Sequence, residues 1–183
     1  MKKFNISVIV GSLRKDSCNL KLAKAIGKLL SEQCDFNILT ISDLPLFNQD
    51  LEIHFPETVL KLKKDIENSD AVLLVTPEYN RGVPGVLKNA IDWASRPYGK
   101  NSFAKKPAAI CGASPGAIGT ACAQNSLKHT LSYLELYLMG QPEVYLQFKE
   151  NLIDADFNIT DENTKKFLQN FADQFACWIE KHQ

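Results

Sequence analysis

Short apolar runs alternate with amphipathic segments along the whole chain. Residues 4–10 are rich in β-branched side chains and predict a buried strand, whereas apolar positions from Leu20 to Leu30 recur at helical spacing. This alternation predicts a parallel sheet with helices on both faces, in one domain spanning residues 1–183. Strands are predicted at residues 4–10, 35–40, 70–75 and 106–111, with fifth-strand material at 136–139 and 144–146. Helices are predicted from residue 20 and at 57–67, 86–94, 121–134 and about 160–181.

Three loops with unusual composition follow the first, third and fourth predicted strands. They span residues 11–19, 76–85 and 112–119, and each contains glycine, proline or both. In open α/β sheets, ligands bind outside the carboxyl ends of the strands, where the strand order reverses. Loops after these three strands meet at that point if the sheet has the order 2-1-3-4-5, so we expect a ligand site there.

The first of these loops has the composition of an anion site. It ends a strand and begins a helix, whose first N–H groups have no internal partner and whose dipole is positive. Ser12, Ser17 and Asn19 add hydroxyl and amide donors, and Arg14 adds a planar cation suited to phosphate. The alternative is an ordinary strand-to-helix turn with a serine or asparagine cap.

The second and third loops favour a flat ligand. Pro77 and Tyr79 offer a rigid wall, and Ser114 to Gly116 allow close approach of the backbone. A phosphorylated, planar, aromatic molecule would use all three loops. Arg81 is either a solvated charge or a substrate anchor, and both interpretations remain open.

Charge and cysteine content exclude several classes of partner and site. The 21 Lys and Arg residues balance 21 Asp and Glu residues, which argues against a general nucleic-acid or anionic-membrane surface. Five widely spaced cysteines without a C-x-x-C pair predict no disulfide framework, no zinc site and a reducing, cytoplasmic location, with Cys111 and Cys177 in the core. The charged start at Met1 is not followed by an export signal, and no segment has the roughly 20 apolar residues of a membrane helix.

Three motifs, in order, resemble those of the NAD(P)H-dependent FMN reductases, the flavodoxin-like group that includes chromate and quinone reductases. They are GSLRKDSCN at residues 11–19, TPEYN at 76–80 and GVLKNAIDW at 85–93. The resemblance extends over most of the chain. It implies a flavodoxin-like three-layer α/β sandwich with a five-stranded parallel sheet in the order 2-1-3-4-5.

The same resemblance implies an FMN site. The phosphate would be held by Ser12, Leu13, Arg14, Ser17, Cys18 and Asn19. The isoalloxazine ring would lie against Pro77, Glu78, Tyr79 and Asn80, with Ser114 at its far rim. Backbone N–H groups near Glu78, Tyr79 and Asn80 would bind the pyrimidine edge, while the Glu78 carboxylate is expected to be exposed. No metal is expected.

The chain departs from the family pattern in two places. Many members have an aromatic or small residue followed by Ser or Gly after the second motif, whereas this chain has Arg81-Gly82, which we interpret as candidate substrate-binding residues. Members also often carry Gly-Gly-x-Arg where this chain has residues 119–122, GTAC, so a homodimer is expected and a tetramer remains possible. Trp93 belongs either to the core or to a subunit contact, and the resemblance favours the contact.

The implied reaction transfers hydride from NADPH or NADH to FMN and then electrons to quinone, azo, flavin or metal-oxyanion acceptors, with ping-pong kinetics. No catalytic side chain is required because the flavin N5 carries the hydride. The alternatives are a flavodoxin-type electron carrier and a redox-inactive flavin-binding interaction protein. A receiver domain is excluded because Val75-Thr76-Pro77 lacks the phospho-accepting aspartate. A Rossmann dehydrogenase and a P-loop protein are excluded because their Gly-rich motifs are absent after the first strand.

Overall fold

A parallel sheet forms the centre of the computed structural model, which describes residues 3–183. Its strands are β1 (Phe4–Val10), β2 (Cys34–Ile38), β3 (Ala71–Val75), β4 (Pro107–Ser114), β5 (Tyr137–Leu138) and β6 (Val144–Gln147). The order is β2-β1-β3-β4-β5, and β6 also pairs with β4. The predicted strand order is therefore confirmed. Met1 and Lys2, part of the charged start, lie outside the described residues.

The fifth position of the sheet is divided into two short strands. β5 pairs with Pro107 and Ala108 at the start of β4, and β6 pairs with Cys111 to Ser114 at its end. The intervening residues 139–143 contain Gly140 and Pro142, which interrupt the ladder because proline has no N–H to donate. Pairing with β6 also carries β4 to Ser114, three residues beyond the predicted end at Cys111.

Five α-helices within residues 3–183 cover the sheet, and a short 3-10 helix at Gln49–Ile53 lies outside both cores. They are α1 (Cys18–Leu29), α2 (Glu57–Glu67), α3 (Gly85–Ala94), α4 (Ala121–Tyr133) and α5 (Glu162–Lys181). Buried residues of α1 and α5 form one core on the first face, and those of α2, α3 and α4 form a second core on the other. Successive side chains of β3 enter opposite cores, as the period of a strand requires. The result is the predicted three-layer sandwich.

Trp93 and Cys177 do not lie where the sequence interpretation put them. Trp93 is fully buried within the chain: its indole N–H donates to the Pro45 carbonyl at 2.8 Å, and Phe47 and Phe55 pack edge-on against it. The preferred assignment of Trp93 to a subunit contact is therefore wrong, because the segment around Pro45 folds back over α3. Cys177 is exposed, since its position in α5 faces away from the core, whereas Cys111 is buried as predicted.

No helix within residues 3–183 is long and apolar enough to cross a membrane. The five cysteines are free thiols in this part of the chain.

Candidate functional site

Two adjoining cavities lie where the carboxyl ends of β1, β3 and β4 meet. The smaller has a volume of about 80 Å³ and the larger about 480 Å³, and both are lined by Glu78 and Ser114. The smaller cavity is also lined by Ser12, Arg14, Ser17, Cys18, Asn19, Pro77, Tyr79, Ala113 and Pro115. The larger cavity, called the open cleft below, is also lined by Asn80, Arg81, Gly116, Ala117, Ile118 and Gly119. The three loops therefore converge as predicted.

The start of α1 supplies anion-binding groups to the smaller cavity. Ser17 caps the helix by accepting a hydrogen bond from the Leu20 N–H at 3.3 Å. The backbone N–H groups of Cys18 and Asn19 have no acceptor within residues 3–183. With the exposed guanidinium of Arg14 and the hydroxyl of Ser12 nearby, these donors suit an anion at a helix N-terminus.

The side chain of Asn19 is committed to the protein rather than to the cavity. Its amide donates to the Ala113 carbonyl at 2.9 Å and its Oδ1 accepts from the Ala113 N–H at 2.9 Å, and the residue is buried. Ala113 lies just past the part of β4 that pairs with β3, so the Asn19 side chain extends the ladder in place of a strand. The backbone N–H of Asn19, not its side chain, is the group that remains for a ligand.

Cys18 is a neutral, hydrogen-bonded thiol. Its Sγ lies 3.6 Å from the Ala113 carbonyl, to which the thiol donates. Burial raises the pKa of Cys18 above its ordinary value, and the opposing charge of Arg14 does not outweigh this effect. The side chain therefore lines the cavity as a small apolar group.

A tight turn at residues 79–82 contributes Tyr79 to the smaller cavity and Asn80 and Arg81 to the open cleft. Tyr79 and Gly82 exchange two backbone hydrogen bonds, of 3.2 and 2.9 Å, and Asn80 and Arg81 both have positive φ, at 51° and 64°. This is the geometry of a type I′ turn. The left-handed conformation of Arg81 costs about 1–3 kcal/mol, which the surrounding contacts must offset.

The turn decides which backbone donors a ligand can use. The N–H of Tyr79 is occupied by Gly82, so this predicted donor to the ring is not free. The N–H groups of Glu78, Asn80 and Arg81 have no acceptor in the described part of the chain. All three residues line the open cleft, so these donors remain for a ligand there.

The carboxylate of Glu78 joins this loop to α4. Its side chain is only 6% exposed; Oε1 accepts from the Arg81 guanidinium at 3.1 Å, and Oε2 accepts from the Ala123 N–H at 3.0 Å. Because the Ala123 N–H belongs to the first turn of α4, the carboxylate caps that helix and is stabilised by its dipole. The expectation that this carboxylate is exposed is wrong, because the helix that it caps begins 43 residues later in the chain.

Two glycines allow the elements around the site to approach one another. A Cβ on Gly112 would lie 2.2 Å from the Thr76 carbonyl oxygen and 2.3 Å from the Thr120 hydroxyl. A Cβ on Gly11 would lie 3.1 to 3.2 Å from Leu87 and Pro77, tighter than ordinary contact. The strand ends can therefore lie close enough to share one pair of cavities.

Most of the sequence-predicted residues line these cavities, but not all. Leu13 and Gly82 line neither cavity, whereas Ala113, Ala117, Ile118 and Gly119 line them without having been named as ligand contacts. Ala113 belongs to the predicted third loop, but in the structure it lies in the last part of β4. His54, His129 and His182 line neither cavity, and residues 3–183 hold no cluster of side chains suited to a metal ion.

Comparisons with known proteins agree with this geometry. A family model described as NADPH-dependent FMN reductase matches residues 4–151. The 2-hydroxy-1,4-benzoquinone reductase of a Burkholderia species is 50% identical over 174 residues, covering 95% of each chain. The quinone reductase of Pseudomonas putida is 45% identical over 178 residues, covering 97% of this chain and 95% of that protein. Among solved structures, the flavoenzyme NAD(P)H:(acceptor) oxidoreductase FerB of Paracoccus denitrificans has a TM-score of 0.95 at 54% identity, covering 98% of both chains.

Proposed function

The chain belongs to the NADPH-dependent FMN reductase family, and from this premise we propose that it reduces quinones at the open cleft by a ping-pong mechanism. It is an oxidoreductase with FMN as cofactor and NAD(P)H as co-substrate. The proposed reaction converts NAD(P)H, a proton and a quinone into NAD(P)⁺ and a hydroquinone, so two electrons move per turnover. The observation that carries the proposal is the pair of cavities, one rich in anion donors and one wide enough for a planar ring.

The residues present fit FMN at the phosphate end. Free N–H groups of Cys18 and Asn19, the hydroxyls of Ser12 and Ser17, and the Arg14 cation together suit a phosphate group. Cys18 and Leu13 would contribute backbone rather than side-chain contacts, since the Cys18 thiol is bonded to Ala113 and the Leu13 side chain is exposed. We propose these residues as the phosphate site.

The residues present also fit the ring end. Pro77 and Tyr79 supply flat surfaces, and the free N–H groups of Glu78 and Asn80 supply donors for carbonyl groups on a pyrimidine edge. Ser114 stands between the two cavities and would contact the far rim of the ring. When bound, FMN supplies hydride acceptance from NAD(P)H and electron transfer to the acceptor.

The side chains of the site hold position rather than move protons. Glu78, the carboxylate nearest the open cleft, is bonded to Arg81 and to α4, so it is not available as a general base. No histidine lines either cavity within residues 3–183. The one proton taken up in each turnover would therefore come from water in the open cleft, since the other hydrogen is supplied as hydride by NAD(P)H.

A single open cleft beside the ring site supports the ping-pong mechanism. NAD⁺ or NADP⁺ must leave before the acceptor enters the same space, so initial rates at several fixed acceptor concentrations are expected to give parallel double-reciprocal lines. Intersecting lines would contradict this. Azo compounds, free flavins and metal oxyanions are further proposed acceptors, to be compared with quinones in the same assay.

We also propose that the chain forms a homodimer with each FMN site near the subunit contact. Leu46 and Ile53 are largely exposed on the segment that folds over α3, which supports a contact there, whereas Trp93 is already buried within the chain. Light scattering of the purified protein distinguishes monomer, dimer and tetramer. The free thiols support a reducing compartment, the cytoplasm, as its location.

The decisive experiment is a visible spectrum of the purified protein, followed by anaerobic addition of NADPH and then NADH. A yellow protein that bleaches with either nucleotide and recovers its colour with a quinone is expected. A protein that takes up no FMN would refute the proposal, and a yellow protein that oxidises neither nucleotide would favour an electron carrier or a redox-inactive flavin-binding protein.

Arg14→Ala tests the phosphate site directly. Loss of one charge-assisted hydrogen bond at an exposed position is expected to weaken FMN binding about tenfold. Lys15→Ala is the matched control, since Lys15 is an exposed neighbouring cation that lines neither cavity. Fluorescence titration with FMN measures both, and equal affinities for the two variants would contradict the role of Arg14.

A further inference from the structure

Arg81 is the cation of the open cleft, and the backbone holds it there at a cost. Its φ of 64° is one that side chains other than glycine rarely adopt, and the turn that imposes it is closed by the Tyr79 and Gly82 backbone. The side chain lines the cleft and is 64% exposed. A residue that served only as a turn would be better replaced by glycine, so the arginine side chain itself calls for an explanation.

The positive charge of Arg81 is only partly neutralised by its ion pair with Glu78. The carboxylate shares its interactions between the guanidinium and the Ala123 N–H at the positive end of α4. Among the described residues, the only charged side chains lining the cleft are Glu78, which is buried, and Arg81, which is exposed. The surface that a ligand meets is therefore positive.

The Arg81 guanidinium also has N–H groups that are not used in the ion pair. Only its NH1 has an acceptor within residues 3–183, the Oε1 of Glu78. This one bond fixes the orientation of the planar group, while its remaining N–H groups are available to the open side. The cleft is also lined by Ile118 and its glycine and alanine neighbours, which offer an apolar surface. The cleft thus combines an apolar wall with a fixed cation at its edge.

We propose that Arg81 is the residue that makes this cleft selective for substrates carrying an oxyanion. The inference rests on the proposed function, since the substrates are those of the quinone reductase reaction. The oxyanion would be an ionised hydroxyl, carboxylate or sulfonate on a quinone, or the pyrophosphate of NAD(P)H. The ring of an anionic quinone would pack against the apolar wall while its charged substituent binds the guanidinium.

The test compares two acceptors that differ in charge. A neutral naphthoquinone and its sulfonated derivative, which is a permanent anion, are assayed with wild type, Arg81→Gln, Arg81→Lys and Arg81→Gly. The glycine variant removes the charge at a backbone position that glycine accommodates, so it guards against misfolding of the glutamine variant. The KM values for NADH and NADPH are measured in the same series.

Lys105→Gln is the matched control. Lys105 is an exposed cation that also has a positive φ, of 62°, but it precedes β4 and so lies at the opposite edge of the sheet. This variant also removes one positive charge from a residue with positive φ, but that residue does not line the cleft. It is expected to match wild type with both quinones.

Arg81→Gln and Arg81→Gly are expected to lower kcat/KM for the sulfonated quinone about five- to tenfold, mainly through KM. The neutral quinone should change less than about twofold, Arg81→Lys should keep most of the selectivity, and added salt should reduce it in wild type. A rise in the KM of NAD(P)H instead would identify the pyrophosphate as the oxyanion and would also support the proposal.

Equal losses for both quinones with unchanged KM for NAD(P)H would overturn the proposal, since they would show that Arg81 acts only by holding Glu78. No change in either, or the same change in Lys105→Gln, would also overturn it. These failures are separate from failure of the proposed function, in which wild type itself would lack FMN or quinone turnover.

Discussion

Replacing Asn19 by alanine separates a structural role from a ligand-binding role within the same cavity. The change removes both hydrogen bonds between the Asn19 side chain and Ala113, each 2.9 Å long. The Ala113 N–H then loses its partner in a buried part of the protein, and the Ala113 carbonyl keeps only the weaker hydrogen bond from the Cys18 thiol. The folded protein should therefore lose stability even when no FMN is present.

The magnitude follows from the two backbone groups. The unsatisfied Ala113 N–H costs about 1–3 kcal/mol and the loss of one of the two hydrogen bonds to the carbonyl costs about 0.5–1.5 kcal/mol, which together is about 1.5–4.5 kcal/mol. Because Asn19 lines a cavity, water can reach part of the gap and satisfy one of the groups, which favours the lower half of this range. We expect a loss of about 1.5–3 kcal/mol. For a chain of this size, each kcal/mol lowers Tm by about 2–4 °C.

Urea unfolding of the FMN-free protein measures this loss, with Ser12→Ala as the control. Ser12 also lines the cavity, but its hydroxyl accepts only a long hydrogen bond of 3.4 Å from the Arg14 N–H. Ser12→Ala should therefore weaken FMN binding and leave the free energy of unfolding within about 1 kcal/mol of wild type. If Asn19→Ala lost no more stability than Ser12→Ala, the assignment of Asn19 as the extension of the sheet would be refuted.

Two further predictions concern packing and thiol chemistry around the site. Gly112→Ala should lower the free energy of unfolding by about 3 kcal/mol or more, because the added Cβ would overlap backbone and side-chain oxygens. Gly116→Ala is the control: its Cβ would lie 3.7 Å from the nearest neighbour, so its stability should stay within about 1 kcal/mol of wild type. Thermal unfolding compares the two variants, and equal losses would contradict the steric explanation. At neutral pH a short pulse of iodoacetamide should modify the exposed Cys122 well before Cys18, whose pKa is raised by burial, and the rate at Cys18 should increase as pH rises toward that pKa. Mass spectrometry of the peptides gives the order, and faster labelling of Cys18 would show that the helix N-terminus activates it.

Local pattern was sufficient for the architecture. The predicted helix at residues 57–67 matches α2, and the predicted strand at 70–75 differs from β3 by one residue at its start. Both could be predicted because hydrophobic periodicity and apolar content depend on neighbours along the chain. Sequence reasoning was less successful at the edge of the sheet. β4 extends to Ser114 because β6 pairs with it, and no sequence feature near Cys111 predicts that pairing.

The sequence alone predicted which loops would meet, and the tertiary structure determined which partner each of their side chains has. The loops at residues 11–19 and 77–80 could be recognised from the sequence, because the glycine, proline and small polar residues that form such turns lie next to one another in the chain. The Asn19 side chain is bonded to Ala113, 94 residues away, and Glu78 caps α4 at Ala123, 45 residues away. Such partners are chosen by the packing of the sheet, which brings together atoms that no spacing in the chain relates. For the same reason the proposal that Arg81 anchors a substrate draws on the turn, the buried carboxylate and the open cleft together.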